Sequence, residues 1–162
     1  MKTITKAVLY LQMTALLLTV ALAGPAAARR SVPFHGSIQG VEIADVQFPK
    51  LFVDASGSGE ATHLGHFSMI YELEVDLLTH HTFGSSAFTA ANGDILSTDI
   101  IGRGTPTENP DVVSVVEEHT ITGGTGRFAS ATGNFVRSYS LNLVTGDTSG
   151  SFDGTISFGV AK

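Results

Sequence analysis

Apolar and polar residues alternate along most of the chain after Arg30, and no stretch there repeats with the period of a helix. The alternation is clearest from Phe67 to Leu78. One face of this run carries Phe67, Met69, Tyr71, Leu73, Val75 and Leu77, and the other carries Glu72, Glu74 and Asp76. Because successive side chains of a strand point to opposite faces, the run is predicted to be a strand with one packed face and one face in water.

Seven further runs of the same kind bring the predicted strand count to about eight. They are Val32 to Ile43, Leu51 to Thr62, Phe83 to Ala91, Asp94 to Gly102, Val112 to Ile121, Phe135 to Val144 and Gly150 to Val160. A helix is expected for one turn only, near Arg127 to Ala129, and the Ser56–Gly59 group predicts a bulge or bend in the second strand. Such a chain favours a barrel or a sandwich. Because closure removes exposed edges, we expect an all-β fold, a single antiparallel barrel.

The connections predict specific strand pairings. Asn92-Gly93 is a hairpin signal, a turn at residues 145–148 joins the last two strands, and Pro106 and Pro110 make Thr105 to Asp111 a loop. Counting outward from the two turns gives the pairs Ala90–Ile95, Phe88–Ser97, Leu141–Phe152 and Tyr139–Gly154. The last pair would lay an aromatic ring over a facing glycine.

Residues 1–28 have the pattern of a secretory signal peptide. Lys2 and Lys6 precede an apolar run from Ala7 to Leu22, Ala26 and Ala28 fit a cleavage site, and Ala21 and Ala23 fit an earlier one. The run is shorter than the ~20 residues that span a bilayer, so no stable membrane insertion is expected after cleavage. Residues 29–162 are therefore predicted to be one secreted domain, periplasmic or extracellular.

Charge and cysteine content exclude several classes of function. The net charge is −6, and it becomes −8 once the two leader lysines are removed. An acidic domain without a basic run is not expected to bind nucleic acid. The chain has no cysteine, which excludes disulfides, thiol catalysis and thiolate metal sites. No cofactor is predicted.

The segment Ile121 to Phe135, ITGGTGRFASATGNF, links two predicted strands through four glycines. We interpret it as a structural turn motif built on Gly123, Gly124, Gly126, Phe128 and Gly133. It lacks the lysine and Ser/Thr of a phosphate-binding loop, and no long helix is predicted to follow it.

This motif resembles the Gly-x-Gly-x-Phe-x-x-Ala-x-Gly segment of the allene oxide cyclase and dirigent proteins, with the match on Gly124, Gly126, Phe128, Ala131 and Gly133. Gly59 to Phe67, GEATHLGHF, is similar to a segment of small secreted bacterial proteins that share this barrel. The resemblance implies an eight-stranded antiparallel barrel, which in these families is often oligomeric. It also implies chemistry on hydrophobic substrates by polar residues lining the lumen, none of which can be aligned individually here.

The polar residues of the sixth and seventh predicted strands are the first site candidates. Glu117 and His119 share a face with apolar residues, as do Arg137 and Tyr139 on the next strand. Pairing through the glycine motif places Glu118 near Arg137. Charges within apolar rows must pair or line a wet cavity. Two interpretations remain open: the polar patch of a ligand pocket, and a cross-strand ion pair near the barrel rim.

Two other groups of polar residues are weaker candidates. The pairs His63/His66 and His80/His81 would each diverge on a strand, so no metal site is predicted, and surface or turn positions explain them better. Glu72, Glu74 and Asp76 have a spacing compatible with paired acids, but a solvated outer face explains them better.

Two classes of function follow from these patterns. The first is a secreted barrel without catalytic activity, which binds a small apolar or aromatic molecule in its lumen or serves as a stable module. The second is an isomerase- or cyclase-like or dirigent-like enzyme that uses Glu117, Glu118 or His119 as acid or base. A lumen filled with apolar side chains would favour a structural module, and a cavity with a buried carboxylate would favour ligand binding or catalysis.

Overall fold

The computed structural model describes residues 30–159, which form eight strands and one short 3-10 turn. The strands are β1 Ser31–Gln47, β2 Lys50–Ala61, β3 Gly65–Asp76, β4 His81–Thr89, β5 Ile95–Pro106, β6 Val112–Gly124, β7 Thr132–Asn142 and β8 Asp147–Ser157, and the 3-10 turn is Gly126–Phe128. The predicted leader and its cleavage sites lie outside the described residues, as does Val160 at the end of the last predicted strand.

Each strand pairs antiparallel with its neighbours in the chain, and β8 pairs with β1 to close a barrel. Inward-facing residues alternate with exposed ones, for example on β6 from Val115 to Gly124. The predictions of an all-β antiparallel barrel, of eight strands and of a single helical turn after β6 are confirmed. Within residues 30–159 there is no helix of the length and hydropathy that crossing a membrane would require.

Both predicted hairpin registers are wrong. Phe88 pairs with Leu96 rather than Ser97, because residues 90–94 form the loop instead of a tight Asn-Gly turn. Leu141 pairs with Thr148 and Tyr139 with Gly150, four residues from the predicted partners, because β8 begins at Asp147. A shift by an even number of residues keeps each side chain on its predicted face. Tyr139 therefore still faces a glycine, which is Gly150 instead of Gly154.

The expected bulge in β2 is also wrong. Residues 50–61 pair with β1 without interruption, and the glycines in the Ser56–Gly59 group face the lumen. A Cβ atom on Gly57 would lie 2.8 Å from the carbonyl oxygen of Gln39, so the glycines permit close approach of β1 rather than a bend. A register shift lies instead between β5 and β6, at Ser97/Thr98.

The two ends of the barrel differ in what fills them. We call the end that carries the β2–β3, β4–β5 and β6–β7 loops the packed end, because aromatic rings fill it. Contacting rings have centroids 4.9–6.3 Å apart, and the rings are those of Phe34, Phe67, Phe88, Phe135 and Phe152. We call the opposite end the mouth; its turns lie at 48–49, 77–80, 107–111 and 143–146. Apolar packing is thus concentrated toward one end of the lumen.

Candidate functional site

Polar side chains occupy the lumen between the packed end and the mouth. We call six of them the polar cluster: Glu42, Tyr71, Glu117, His119, Arg137 and Tyr139. The alternation of β6 and β7 turns four of these inward, and Glu117 is directly paired with Arg137 across the strands. The exposed fraction is 0% for Glu117 and 1% for Arg137, and their side chains form an ion pair of 3.1 Å.

Glu118 does not belong to this site. It lies on the outer wall opposite Val136, and the predicted proximity of Glu118 to Arg137 is wrong by one residue. The error follows from the two-residue period of a strand, because a shift of one position moves a side chain to the other face. The inward positions predicted for Glu117 and His119, and for Arg137 and Tyr139, agree with the structure.

Three donors surround the Glu117 carboxylate. Arg137 Nη1 lies 3.1 Å from Oε2, the Tyr139 hydroxyl lies 3.0 Å from Oε1, and His119 Nε2 lies 3.4 Å from Oε2. Burial acts to raise the pKa of Glu117, but the hydrogen bond from His119 and the charge of Arg137 outweigh it, so the pKa is lowered. Glu117 is therefore ionised, and both of its carboxylate oxygens accept hydrogen bonds.

His119 has partners on both ring nitrogens. Its Nδ1 lies 2.9 Å from the Thr98 hydroxyl, which lies 2.7 Å from the Ser86 hydroxyl, and its ring stacks on Phe135 at 4.5 Å. Burial lowers the pKa of His119, against the opposing effect of Glu117, so the ring is neutral at pH 7. We assign the proton to Nε2, because this tautomer donates to Glu117 and lets Nδ1 accept from Thr98.

Glu42 and Tyr71 join the site without having been predicted as site residues. The Glu42 carboxyl Oε1 lies 2.5 Å from the Tyr71 hydroxyl and 3.0 Å from the Tyr139 hydroxyl. The alternation of the third strand predicts Tyr71 as a packing residue, and Glu42 lies in the weakly alternating first strand. The sequence does contain a signal for Glu42. It is the one acid on a strand face whose other residues are apolar or small.

The hydrogen atoms of the cluster can be counted. Tyr139 has one hydroxyl proton, yet its oxygen lies 3.0 Å from a carboxyl oxygen of both Glu42 and Glu117. Burial, and then the negative charge of Glu117, raise the pKa of Glu42 despite its tyrosine hydrogen bonds. The consistent arrangement has a protonated Glu42 donating to Tyr139, which donates to ionised Glu117. Burial raises the pKa of both tyrosines, so both hydroxyls stay protonated.

Arg137 is held between aromatic rings. Its guanidinium lies 3.9 Å from the Tyr139 ring centroid and 5.1 Å from that of Tyr71. Although burial acts to lower the pKa of Arg137, the negative Glu117 raises it, so the cation persists. Within residues 30–159 its buried Nε atom has no hydrogen-bond partner. A buried donor without a partner is rare in folded proteins, and this N–H group is available to donate a hydrogen bond to a further polar group.

The other polar candidates lie outside the lumen. His66 pairs with Glu60 at 2.9 Å, and His63 and His80 have positive φ angles of 64° and 59° in turns. In the described part of the chain, no three metal-ligating side chains come together. On β3, Glu74 pairs with Lys50 at 2.6 Å, while Asp76 accepts the backbone N–H groups of the following turn.

The glycine motif lies across the packed end. Phe128 is fully buried there, and Gly126, with φ of 51°, approaches the Asp94 carboxylate so closely that a side chain would not fit. Arg127 donates its backbone N–H to the same carboxylate at 3.1 Å and its guanidinium to the carbonyl of His63. The motif thus joins the three loops of this end.

Comparison with solved structures identifies a barrel of the same kind. The chain is similar to a pterocarpan synthase dirigent protein, with a TM-score of 0.55 and 16% sequence identity over 87% of this chain and 95% of that one. No family model matches the chain, and neither does any curated protein. At this identity the likeness shows the fold, which is the dirigent and allene oxide cyclase-like barrel implied by the glycine motif.

Proposed function

We propose that the protein binds a small apolar or aromatic molecule in the mouth-side half of its lumen, against Glu42, Tyr71 and Tyr139. The observation that carries the proposal is the buried polar cluster in a barrel whose other half is packed with aromatic rings. Replacing a buried ion pair by apolar side chains is often neutral or stabilising, so stability alone does not account for the cluster. A ligand that needs fixed polar contacts would account for it.

The chemistry of the lumen defines the class of ligand. Between the cluster and the mouth the wall is aliphatic, with Val53, Leu73 and Val115 buried and Leu51, Val75, Val113 and Leu141 half-buried. A flat or branched apolar body fits such a wall. A hydroxyl or carbonyl oxygen at one end of the ligand would meet Glu42 and Tyr71, and the free donor Arg137 Nε is a further partner for it.

The second candidate is an isomerase- or cyclase-like or dirigent-like enzyme with Glu42 as its acid. It is favoured by the raised pKa of Glu42, since a carboxyl that keeps its proton to a higher pH than usual can donate it to a substrate oxygen. Glu117 and His119 are poorer acids or bases, because hydrogen bonds already occupy them. The similar dirigent barrel is a pterocarpan synthase, a protein named for a synthesis.

Native mass spectrometry of the protein from the secreted fraction of its own host tests the proposal. We expect an extra mass that is lost on denaturation. We also expect the apo protein to bind 4-phenylphenol more tightly than 4-methoxybiphenyl in calorimetry. Glu42→Gln and Tyr71→Phe should weaken binding of the phenol by about tenfold, the value of one hydrogen bond, while Glu118→Gln on the outer wall should not.

A clean apo mass together with no binding of either probe would contradict ligand binding. The two candidates separate once the occupant is identified and returned to apo protein. Conversion to an isomer of equal mass, lost in Glu42→Gln, would identify an enzyme, and an unchanged occupant would identify a carrier.

We also propose that the protein acts outside the cytoplasm. The proposal rests on the N-terminal sequence, with its two lysines, apolar run and small residues at 26 and 28. Mass spectrometry of the N-terminus of the exported protein should find Arg29 as the first residue. Intact protein beginning at Met1 and confined to the cytoplasm would contradict export.

A further inference from the structure

The end of β1 has a free edge. β1 pairs with β8 from Ser31 to Val41 and with β2 from Gly36 to Gln47, so residues 43–47 have a partner strand on one side only. The last contact on the β8 side is the hydrogen bond from the Glu42 N–H to the Gly146 carbonyl, 2.9 Å long. Within residues 30–159 no other backbone group pairs with this edge. We call residues 43–47 the open edge.

The direction of the free groups follows from strand geometry. The N–H of Glu42 points toward β8, and in an antiparallel ladder every second residue points its N–H and C=O to the same side. Ala44 and Val46 therefore direct their backbone donors and acceptors away from β2. All five residues of the open edge are exposed, including Ile43 at 72% and Val46 at 65%.

An exposed apolar edge is a template for another strand. We propose that the open edge binds an extended segment of a partner protein in which apolar residues alternate with basic ones. The backbone N–H and C=O groups of Ala44 and Val46 would form the hydrogen bonds to the added strand. The exposed side chains of Ile43 and Val46 would make the apolar contacts. Phe48, 74% exposed at the adjoining turn, extends the apolar surface.

Charge selects the partner. Asp45 lies on the strand, Asp54 is paired with Ile43, and Asp147 at the start of β8 is paired with Val41. Lys50, which is paired with Gln47 on the neighbouring strand, is already held by Glu74 at 2.6 Å. A basic segment therefore fits this edge better than an acidic one.

A second copy of the chain fits poorly. An antiparallel two-fold pairing centred on residue 45 would place the Asp45 carboxylates of the two copies opposite each other, which is destabilising. Centred on residue 44, it would set Ile43 against Asp45 and Glu42 against Val46. Each register therefore contains an unfavourable pair, so a heterologous strand is the better occupant.

The test uses the purified protein and a fluorescein-labelled peptide with the sequence Val-Lys-Val-Lys-Val-Lys-Val. We expect saturable binding by anisotropy, weakened by salt, with amide NMR shifts centred on Ala44 and Val46. Ala44→Pro should weaken binding by at least about tenfold, because it removes a ladder donor that does not face β2. Ala44→Ser keeps the N–H and should bind as the unaltered protein does.

Controls on the peptide keep the test decisive if Ala44→Pro fails to fold. A peptide N-methylated at every backbone nitrogen has no N–H to donate from either of its edges and should not bind, and the matching glutamate peptide should bind far more weakly. Equal binding of the N-methylated peptide, or shifts confined to other surfaces, would overturn the proposal. So would a dimer seen by sedimentation that Ala44→Pro abolishes, since a second copy would then occupy the edge.

Discussion

Glu117 and Glu118 are identical neighbours in the chain with opposite environments. Glu117 is fully buried beside Arg137, and Glu118 lies exposed on the outer wall. The difference comes from the two-residue period of the strand alone. At this scale the same change of residue should therefore have very different consequences at the two positions.

Removing the cation from the buried pair should be costly. Arg137→Met leaves Glu117 ionised in the lumen, and we expect the free energy of unfolding to fall by about 3–5 kcal/mol in urea denaturation. Glu117→Gln combined with Arg137→Met should cost less than Arg137→Met alone, because no uncompensated charge remains. Glu118→Gln serves as the control and should change stability by less than about 0.5 kcal/mol. A loss for Glu118→Gln as large as that for Arg137→Met would show that the pair is not buried in solution.

Glu42 should make stability depend on pH. Its pKa in the folded state lies above the ordinary value of 4.5, so the folded protein holds this proton more tightly than the unfolded chain. The contribution of this proton to the free energy of unfolding is fully present below pH 4.5. It is lost as the pH rises from 4.5 through the folded-state pKa of Glu42. The stability of the wild type relative to Glu42→Gln, measured by urea unfolding, should therefore decline as the pH rises above 4.5.

Comparison with Glu42→Gln is needed because two other groups act in the opposite direction. The lowered pKa values of Glu117 and His119 mean that stability is lost as the pH falls below 4.5 and 6.5 respectively. Both effects cancel in the difference between the wild type and the variant. A difference that is constant with pH would contradict a protonated Glu42.

Only part of the site could be predicted from the sequence. The alternation correctly predicts that four side chains face inward, because the period of a strand is a local property. They are Glu117, His119, Arg137 and Tyr139. The contact of Tyr139 with Glu42 spans 97 positions along the chain. No local pattern encodes a contact over that separation, and it depends on the register of every strand between them.

At the scale of the element, glycines decide how closely strands approach. Gly59 on β2 faces the lumen, and a Cβ atom there would overlap the carbonyl oxygen of Ser37 on β1. From the sequence, the Ser56–Gly59 group is expected to interrupt the strand, because glycine in a strand often marks a bulge. The structure uses it instead for close contact along an unbroken ladder.

Gly59→Ala should therefore destabilise the barrel. The added methyl group has to displace β1, and we expect a loss of about 1–3 kcal/mol in the free energy of unfolding, as for other overpacked sites. Ser58→Ala on the outer face of the same strand is the matched control and should change stability by less than about 0.5 kcal/mol. A loss at Ser58 as large as that at Gly59 would point to a general weakness of β2 rather than to close packing.

Strand registers show why elements are easier to predict than their pairing. All eight strands were found from alternation, yet the β4–β5 pairing was wrong by one residue and the β7–β8 pairing by four. Register depends on the conformation of the connecting loop, and in β4–β5 five residues replace the expected two-residue turn.

At the scale of the whole molecule, closure leaves very little of the sheet unpaired. β8 meets β1 over eleven residue pairs, and only the last residues of β1 extend past it. The barrel is thus divided into a packed end that stabilises it, a polar cluster in the middle and an aliphatic mouth. This division is the basis for placing a ligand on the mouth side and a partner strand on the open edge.

The class of fold, the number of strands and the face of most side chains can be predicted from the sequence alone. These depend on the period of apolar residues and on turn residues, which act over a few positions. Tertiary structure alone decided the partners of Glu42, the burial of the Glu117–Arg137 pair and the open edge of β1. Each of these depends on which strands become neighbours when the barrel closes, and closure joins residues that are distant along the chain.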